Sequence, residues 1–398
     1  MTLKLKPQSL PSEIILPTSK SYANRLLIVA ARLGEGRSIK HLPVSDDVTF
    51  LIDSFQRIGL NLEKKSDGLI FHNSFPECES NEREPIHLHV GEGGTTARFI
   101  LSLLSLGSRK YVLSMEGRLP QRPWDGLIQV LRSAGVVIKW DNDHELSIQG
   151  PVQVEKLKRE ISCGDTTQFI TSLQLSFFKE GITFKPLGLE SSEAYWRMTL
   201  DCAQDFKERT VPQDWSSASY PIVLAALKNQ KVLFHGLHPD PLQADSILFD
   251  ILRERGAIED TDEGVIVSGL KTHQPLLVNG SQCLDLIPTL TVLALKLKGK
   301  SLITHTRGLV AKESDRLAEI LRLVKKMGGH ITRDPDYSIQ IEGGHQAPSL
   351  HLDPVADHRM VMMASIMLLT NEGGVVENEQ AVSKSFPNFF EIVAPTRE

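Results

Sequence analysis

The chain has 398 residues, and its 44 Lys plus Arg against 49 Asp plus Glu leave a net charge of −5, so no global positive field recommends nucleic acid as a partner and an anionic ligand must be held by local clusters. At 41% hydrophobic and 23% charged residues it is neither disordered nor fibrous, and its length suits two or three domains with cores of their own. Cys78, Cys163, Cys202 and Cys283 stand far apart with no C-x-x-C pair, which speaks against a zinc site or a disulfide framework and for a reducing compartment.

The opening MTLKLKPQSLPSEII lacks the apolar core of a signal peptide, and the longest apolar run, around Met360 to Leu369, is far shorter than a membrane span, so a cytoplasmic protein with no membrane partner is expected. Residues 1–16 alternate polar and apolar side chains up to Pro17, the pattern of a short strand. SKSYANRLLIVAA, from Ser19, predicts a helix to about Arg32, buried because it is apolar nearly all round. An amphipathic helix follows from Asp46, with Val48, Leu51, Ile52 and Phe55 on one face, and stops at Gly59. A hairpin from Leu60 to His72 then turns at Ser66-Asp67-Gly68.

This succession recurs. GGTTARFILSLLSLG from Gly93 leads to RPWDGLIQVLRSAG, stopping at Gly135, and to the hairpin VVIKWDNDHELSIQG. SSASYPIVLAALKNQ from Ser216 leads to ADSILFDILRERG, stopping at Gly256, and to AIEDTDEGVIVSG. IPTLTVLALKLKG from Ile287 leads to ESDRLAEILRLVKKMG, stopping at Gly328, and to GHITRDPDYSIQIEG. DHRMVMMASIMLL from Asp357 ends early, with a short FPNFFEIVA helix. Equivalent helix starts at Lys20, Gly94, Thr166, Ser216, Pro288 and Asp357 are 74, 72, 50, 72 and 69 residues apart. The third repeat, opening on TTQFITSLQLSF, is therefore short: its second helix, AYWRMTLDCAQDF, has neither glycine stop nor hairpin. Six repeats in two sets of three imply a two-domain α/β architecture with a crossover near Pro212 and Asp214, and a site in the cleft between the domains.

Helices that open on Ser, Thr, Asp or Gly leave backbone N–H groups and a partial positive charge at their starts, so six converging starts would build an anion site. Basic residues recur beside them: Lys20, Arg25, Arg98 and Arg359, with Arg122, Arg316 and Lys384 at comparable places. Any one of these is by default a solvated charge; the repeated placement points to an anion with several oxygens, which guanidinium grips in bidentate fashion. Asp285 and Glu313 lie close to these cations in sequence. They are either helix-start residues favoured by the dipole or a general acid and base tuned by their neighbours. Lys20-Ser21 lacks the glycines of a P-loop, and GEGGTT at Gly91 lacks dinucleotide-fold spacing. His87 and His89, on an alternating segment with no third ligand nearby, give no metal site.

In order along nearly the whole chain, LPTSKSYANR, GGTTAR, LPQRP, TTQF, SSASY, DLIP, AKESDR, DHRM and SKSFPNFF resemble the 5-enolpyruvylshikimate-3-phosphate synthase family. The resemblance implies a two-domain inside-out α/β barrel, or prism, built from six βαβαββ-type repeats with the third truncated. Residues 1–18 with 214–398 would form the C-terminal-type enolpyruvyl transferase domain and 19–213 the N-terminal-type one. It implies a transferase of chorismate and aromatic amino acid biosynthesis, working as a monomer without metal or organic cofactor, that moves the enolpyruvyl group of phosphoenolpyruvate to the 5-hydroxyl of shikimate 3-phosphate and releases phosphate. Carried over by position, Lys20 touches both substrates. Ser21, Arg25, Thr166, Thr167, Ser192, Asp285 and Lys312 serve shikimate 3-phosphate. Gly94, Arg122, Gln168, Arg316, Arg359 and Lys384 hold phosphoenolpyruvate. Asp285 takes the 5-hydroxyl proton, and Glu313 with Lys20 handles the proton at the methylene carbon.

Several positions depart from the family pattern. Glu92 stands where Asn is usual, placing a carboxylate beside the phosphoenolpyruvate residues; Phe99 replaces a common Pro, Thr166-Thr167 a Ser pair, and Glu193-Ala194 a Lys-Pro. The missing third hairpin is expected to leave an open sheet edge or an uncovered helix face. Two rival functions follow: a binding or scaffold homologue that has lost turnover, and the sister transferase acting on UDP-N-acetylglucosamine. The latter is marked by a loop Cys that GRLPQRPWDG lacks.

Overall fold

A computed structural model describes residues 2–80, 84–189, 192–348 and 350–395. The chain divides into two compact units, a continuous one, Thr18–Pro212, and a segmented one that joins Met1–Pro17 to Gln213–Glu398. Among the described residues no helix is long and apolar enough to cross a membrane.

Each unit is built on three helices that lack a polar face and so pack on one another. In the continuous unit these are Lys20–Leu33, Gly94–Leu104 and Gln168–Phe177. In the segmented unit they are Trp215–Leu227, Ile287–Lys296 and His358–Leu369. Hydroxyls inside these bundles must find partners. Ser102 Oγ donates to Ser172 Oγ at 2.8 Å, and Ser219 Oγ lies 2.8 Å from Thr289 Oγ1. One such bond therefore pins two helices of each bundle together. The third helix starts two residues later than its sequence suggests: Thr167 is its N-cap, and Thr166 Oγ1, one residue ahead, accepts from the N–H of Gln168 at 3.2 Å.

Around the bundles, four four-stranded sheets share one topology: an entry strand runs parallel to a central strand, and the central strand pairs antiparallel with the second strand of a hairpin. In the first, Glu208–Thr210 enters beside Arg37–Lys40, followed by Gly68–Phe71 and Leu62–Lys65. Ile86–Gly91, Lys110–Met115, Glu145–Gln149 and Val137–Asn142 repeat it. So do Glu13–Ile14, Val232–His235, Gly264–Val267 and Ile258–Thr261, and then Leu277–Asn279, Lys300–Thr304, Ile339–Glu342 and Ile331–Arg333. The amphipathic helices between strand and hairpin end as the sequence suggests, on Gly59, Gly135, Gly256 and Gly328, all at positive φ.

The residues before Pro17 form two strands rather than one. Glu13–Ile14 enters the Val232–His235 sheet, while Thr2–Leu5 pairs antiparallel with Gly374–Glu377, which also pairs in parallel with Leu350–Leu352. The start of the chain thus occupies, in the last sheet, the place a hairpin takes elsewhere.

Among the described residues the third repeat has no substitute strand. Its sheet is the parallel pair Glu160–Ser162 and Lys185–Leu187. Lys185 turns to its paired strand, with its ammonium 3.1 Å from Glu160, and Pro186 beside it has no N–H to offer a further strand. The approach to this strand is held by a side chain: buried Gln174 donates through Nε2 to the Ile182 carbonyl and accepts through Oε1 from the Phe184 N–H, both at 3.0 Å. Gln174→Leu should remove both bonds and leave two buried backbone groups unpaired. We expect a loss of roughly 2–4 kcal/mol in urea unfolding and faster amide exchange at Phe184; unchanged exchange there would show that Gln174 does not hold the segment.

Candidate active site

The continuous unit gathers cations at the starts of its buried helices. Lys20, the first residue of its helix, pairs with Asp47 at 2.9 Å. Asp47 in turn lies against Gly93, and its carbonyl accepts from Thr96 Oγ1 at 3.0 Å. The next residue, Gly94, begins the second helix, whose N-cap Gly93 has no side chain to cap it. A Cβ on Gly94 would sit 2.7 Å from Arg98 Nη1 and 2.9 Å from Arg122 Nη1. Two guanidinium groups therefore converge on the one residue small enough to admit them. Arg98 Nη1 also donates to Gln168 Oε1, and Arg98 Nη2 to the Pro123 carbonyl at 2.7 Å. Arg122 Nε and Nη1 are buried and have no hydrogen-bond partner among the described residues. Such groups cost stability unless something accepts from them. An anion with several oxygens, seated at an uncapped helix start, is the kind of group that would.

Arg25 lies deeper. Its guanidinium sits 5.6 Å from the centres of both the Phe99 and Tyr195 rings and donates to Thr199 Oγ1 at 3.0 Å, the Ser21 carbonyl at 2.8 Å and the Tyr195 carbonyl at 3.3 Å. Thr199 Oγ1 is 3.0 Å from Thr171 Oγ1, so Arg25 ties together the helices Lys20–Leu33, Gln168–Phe177 and Glu193–Cys202. Burial works against its charge and lowers its proton affinity. Among the described residues no carboxylate pairs with it. Phe99, a departure at the sequence level, has a structural use as one wall around this cation. Ser192 adopts φ 61° at the start of the Glu193–Cys202 helix, and its carbonyl accepts from the Tyr195 N–H at 3.1 Å. Thr166 and Thr167 stand half-buried before the third helix.

The segmented unit arranges charge in the opposite way. Arg316 is buried, and all three of its nitrogens donate to carboxylates: Nε to Asp357 Oδ2 at 2.8 Å, Nη1 to Asp285 Oδ1 at 2.8 Å, and Nη2 to Glu313 Oε2 at 2.6 Å. Asp285 Oδ1 also faces Lys312 Nζ at 3.3 Å and Arg359 Nε at 3.5 Å. Burial opposes the charge on Asp285, yet Arg359, then Lys312 and Arg316, hold its carboxyl far below the usual range. Burial opposes the charge on Asp357 too, yet Arg316 and His358 together lower its carboxyl to about 2. Lys384 ends the turn Glu379–Lys384, which packs on the His358–Leu369 helix.

The structure thus brings Gly94, Arg98, Arg122 and Gln168 together in the continuous unit, and Asp285, Lys312, Glu313, Arg316 and Arg359 together in the segmented one. Reading the sequence missed three participants. Asp47 is the partner of Lys20. Asp357 grips Arg316 through Nε and Nη2, accepts from Ser314 Oγ at 2.9 Å, and caps its helix by accepting from the Arg359 N–H at 3.0 Å. Asp245 lies buried beside Ser216. Each sits at the start of a helix, where an acidic residue is ordinary, so nothing local marked them out. Asp214 and Asp357 also correct the expectation of six open helix starts, since both fill their own N-termini with a carboxylate.

A mixed α/β chain with several such sheets has the fold of the enolpyruvyl transferases. A solved structure of EPSP synthase from Acinetobacter baumannii superposes with a TM-score of 0.77 over 100% of this chain and 98% of that one, at 20% identity. The enolpyruvyl transferase NikO from Streptomyces tendae superposes with a TM-score of 0.72 over 100% and 99%, at 13% identity. The model of the family EPSP synthase (3-phosphoshikimate 1-carboxyvinyltransferase) matches residues 5–207 and 190–393. The 3-phosphoshikimate 1-carboxyvinyltransferase of Methanococcoides burtonii is 30% identical, over 95% of this chain and 94% of its own length. The chain belongs to the EPSP synthase family. It is an enzyme of that family, an enolpyruvyl transferase of the shikimate pathway.

The two arrangements of charge predict opposite responses to losing a cation. Arg122→Met removes a group whose buried N–H groups have no acceptor, so thermal stability should hold or rise while phosphoenolpyruvate binding weakens roughly tenfold or more. Arg316→Met strands three carboxylates and should cost roughly 3–5 kcal/mol in chemical unfolding. Equal destabilisation in the two variants would refute the contrast.

Proposed function

We propose that the residues around Gly94 and those around Asp285 serve one reaction, with the roles assigned by position above. The observation that carries this reading is the pair of buried, unpartnered N–H groups on Arg122 beside Gly94, which supports phosphoenolpyruvate binding there. The 5-hydroxyl oxygen of shikimate 3-phosphate attacks C2 of phosphoenolpyruvate as Asp285 takes the hydroxyl proton. The methylene carbon gains a proton, the step assigned by position to Glu313 with Lys20, giving a tetrahedral intermediate that keeps both carboxylate and phosphate. Loss of a methyl proton then expels phosphate and restores the double bond. Cations that neutralise this intermediate would supply most of the rate.

Asp285 in the free chain is a poor base, because Arg359, Lys312 and Arg316 all favour its charged form. In this reading the substrate anions draw those cations away and its proton affinity rises when it is needed. The sheet topologies support six copies of one repeat with the third truncated, folded as an inside-out barrel, and we read Thr18–Pro212 and the remainder as the N- and C-terminal-type transferase domains of a cytoplasmic monomer.

Phosphate release from phosphoenolpyruvate should require shikimate 3-phosphate and not occur with UDP-N-acetylglucosamine; turnover with neither would favour a binding homologue. Asp285→Asn and Glu313→Gln should each lose turnover by ~10²-fold or more while shikimate 3-phosphate still binds. Near-normal turnover would take that residue out of the mechanism. Glu92 packs against Gly117, in the loop that leads to Arg122. Glu92→Asn should lower the Michaelis constant for phosphoenolpyruvate, and an unchanged or higher value would show that its charge does not oppose the substrate.

A further inference from the structure

Lys20 is the first residue of the helix that opens the first repeat, and Ser216 is the second residue of the helix that opens the fourth. Each meets a carboxylate from a later segment of its own repeat. Lys20 meets Asp47 at 2.9 Å, and Ser216 Oγ donates to Asp245 Oδ2, in the turn Ala244–Ser246. Both helix starts thus present a partner to a carboxylate, and only one of the partners is charged. Asp47 is neutralised by an ammonium, whereas the hydroxyl of Ser216 brings no charge.

Asp245 is 1% exposed, and its other oxygen, Oδ1, has no hydrogen-bond partner among the described residues. Three other charged groups act on it. Asp214, at the N-cap of the Trp215–Leu227 helix, and Asp285, in the turn Leu284–Leu286, repel its charge; Arg359 attracts it; Cys283 is a buried thiol that feels both Asp245 and Asp285. A buried carboxylate with one neutral donor and two acidic neighbours is a costly charge to maintain. Burial first, then the charge on Asp285, push its carboxyl up to about 7.

We infer that Asp245 holds a proton, and that it is a positioning residue: its neutral carboxyl keeps a second negative charge from competing with anionic substrate for Arg359. This rests on the proposed role of Arg359 in holding phosphoenolpyruvate. Deprotonation above neutral pH would place that charge beside Asp285 and Arg359 and weaken substrate binding.

The test compares the full-length chain with Asp245→Asn, which keeps the shape and cannot ionise. The Michaelis constant for phosphoenolpyruvate should rise roughly tenfold from about pH 6 to about pH 8.5 in the parent chain, beyond the change in the variant, which reports the titration of the substrates alone. Parallel profiles overturn the positioning role. An activity-independent readout decides the proton itself. Infrared difference spectra of the ligand-free parent minus Asp245→Asn should contain a protonated-carboxyl C=O band that fades near neutral pH, and its absence overturns the inference. If Asp245→Asn fails to fold, Ser216→Ala serves: losing the donor that favours the charged form should move the fading of the same band to higher pH, and an unmoved band overturns the inference. Should the chain show no phosphate release at all, the proposed function fails while the infrared band still decides the proton.

Discussion

A buried guanidinium needs a negative partner or a dense set of acceptors, and this chain meets that demand in two contrasting ways. In the segmented unit Arg316 is saturated by Asp285, Glu313 and Asp357, and Asp285 is shared with Lys312 and Arg359. In the continuous unit Arg25 has carbonyls, hydroxyls and ring faces but no carboxylate among the described residues, and Arg122 has buried N–H groups with no acceptor. Folding has therefore already neutralised one cluster and left the other in want of an anion. A ligand must exchange partners in the first case and fills a need in the second. Exchange is the more demanding event, because each carboxylate released from Arg316 has to be solvated or paired anew.

That asymmetry bears on the acid–base groups. A carboxylate gripped by three cations is strongly acidic and so a weak base. In the mechanism proposed above, Asp285 would become useful as its cations turn toward another anion, which would couple its basicity to the arrival of substrate. That coupling would also give Asp357 a purpose that a list of substrate contacts would miss, since it holds Arg316 through two nitrogens whichever partner Nη1 faces.

The repeat was the most legible feature of the sequence, because buried helices, glycine stops and hairpins each leave a local signature. Gly59, Gly135, Gly256 and Gly328 end their helices at positive φ as the pattern suggested. The deficit in the third repeat was equally plain, and its sheet has two strands. What closes the gap was not legible: Gln174 reads as one polar residue in an apolar helix, and only the fold brings Ile182 and Phe184 to its amide. The split of residues 1–16 into strands of two different sheets was hidden for the same reason, since a strand's partner lies far off in sequence. At the site, cations were found because they recur beside helix starts. Asp47, Asp245 and Asp357 were passed over because an acidic residue at a helix start is usually explained by the helix itself.

The repeats share a scaffold and differ in charge. After the central strand of every sheet the chain turns through a left-handed residue, namely His41, Gly117, Gly188, Gly236, His305 and Asn378. His41, His305 and Asn378 carry side chains at φ values that disfavour them. The turn is therefore imposed by the sheet and not by glycine. Onto this constant frame each repeat places a different residue at its helix start. The helices of the continuous unit open on Lys20, Gly94 and Gln168. In the segmented unit they open on Trp215, Ile287 and His358, and the cations reach its cluster from elsewhere: Lys312 and Arg316 from the loop and helix after Leu309, and Arg359 from the second residue of its own helix. The cluster around Asp285 is thus assembled from three separate segments, and the cradle at Gly94 from a helix start and the loop that carries Arg122. A frame that repeats fixes where charges stand, and the residues that break the repeat decide which charges those are.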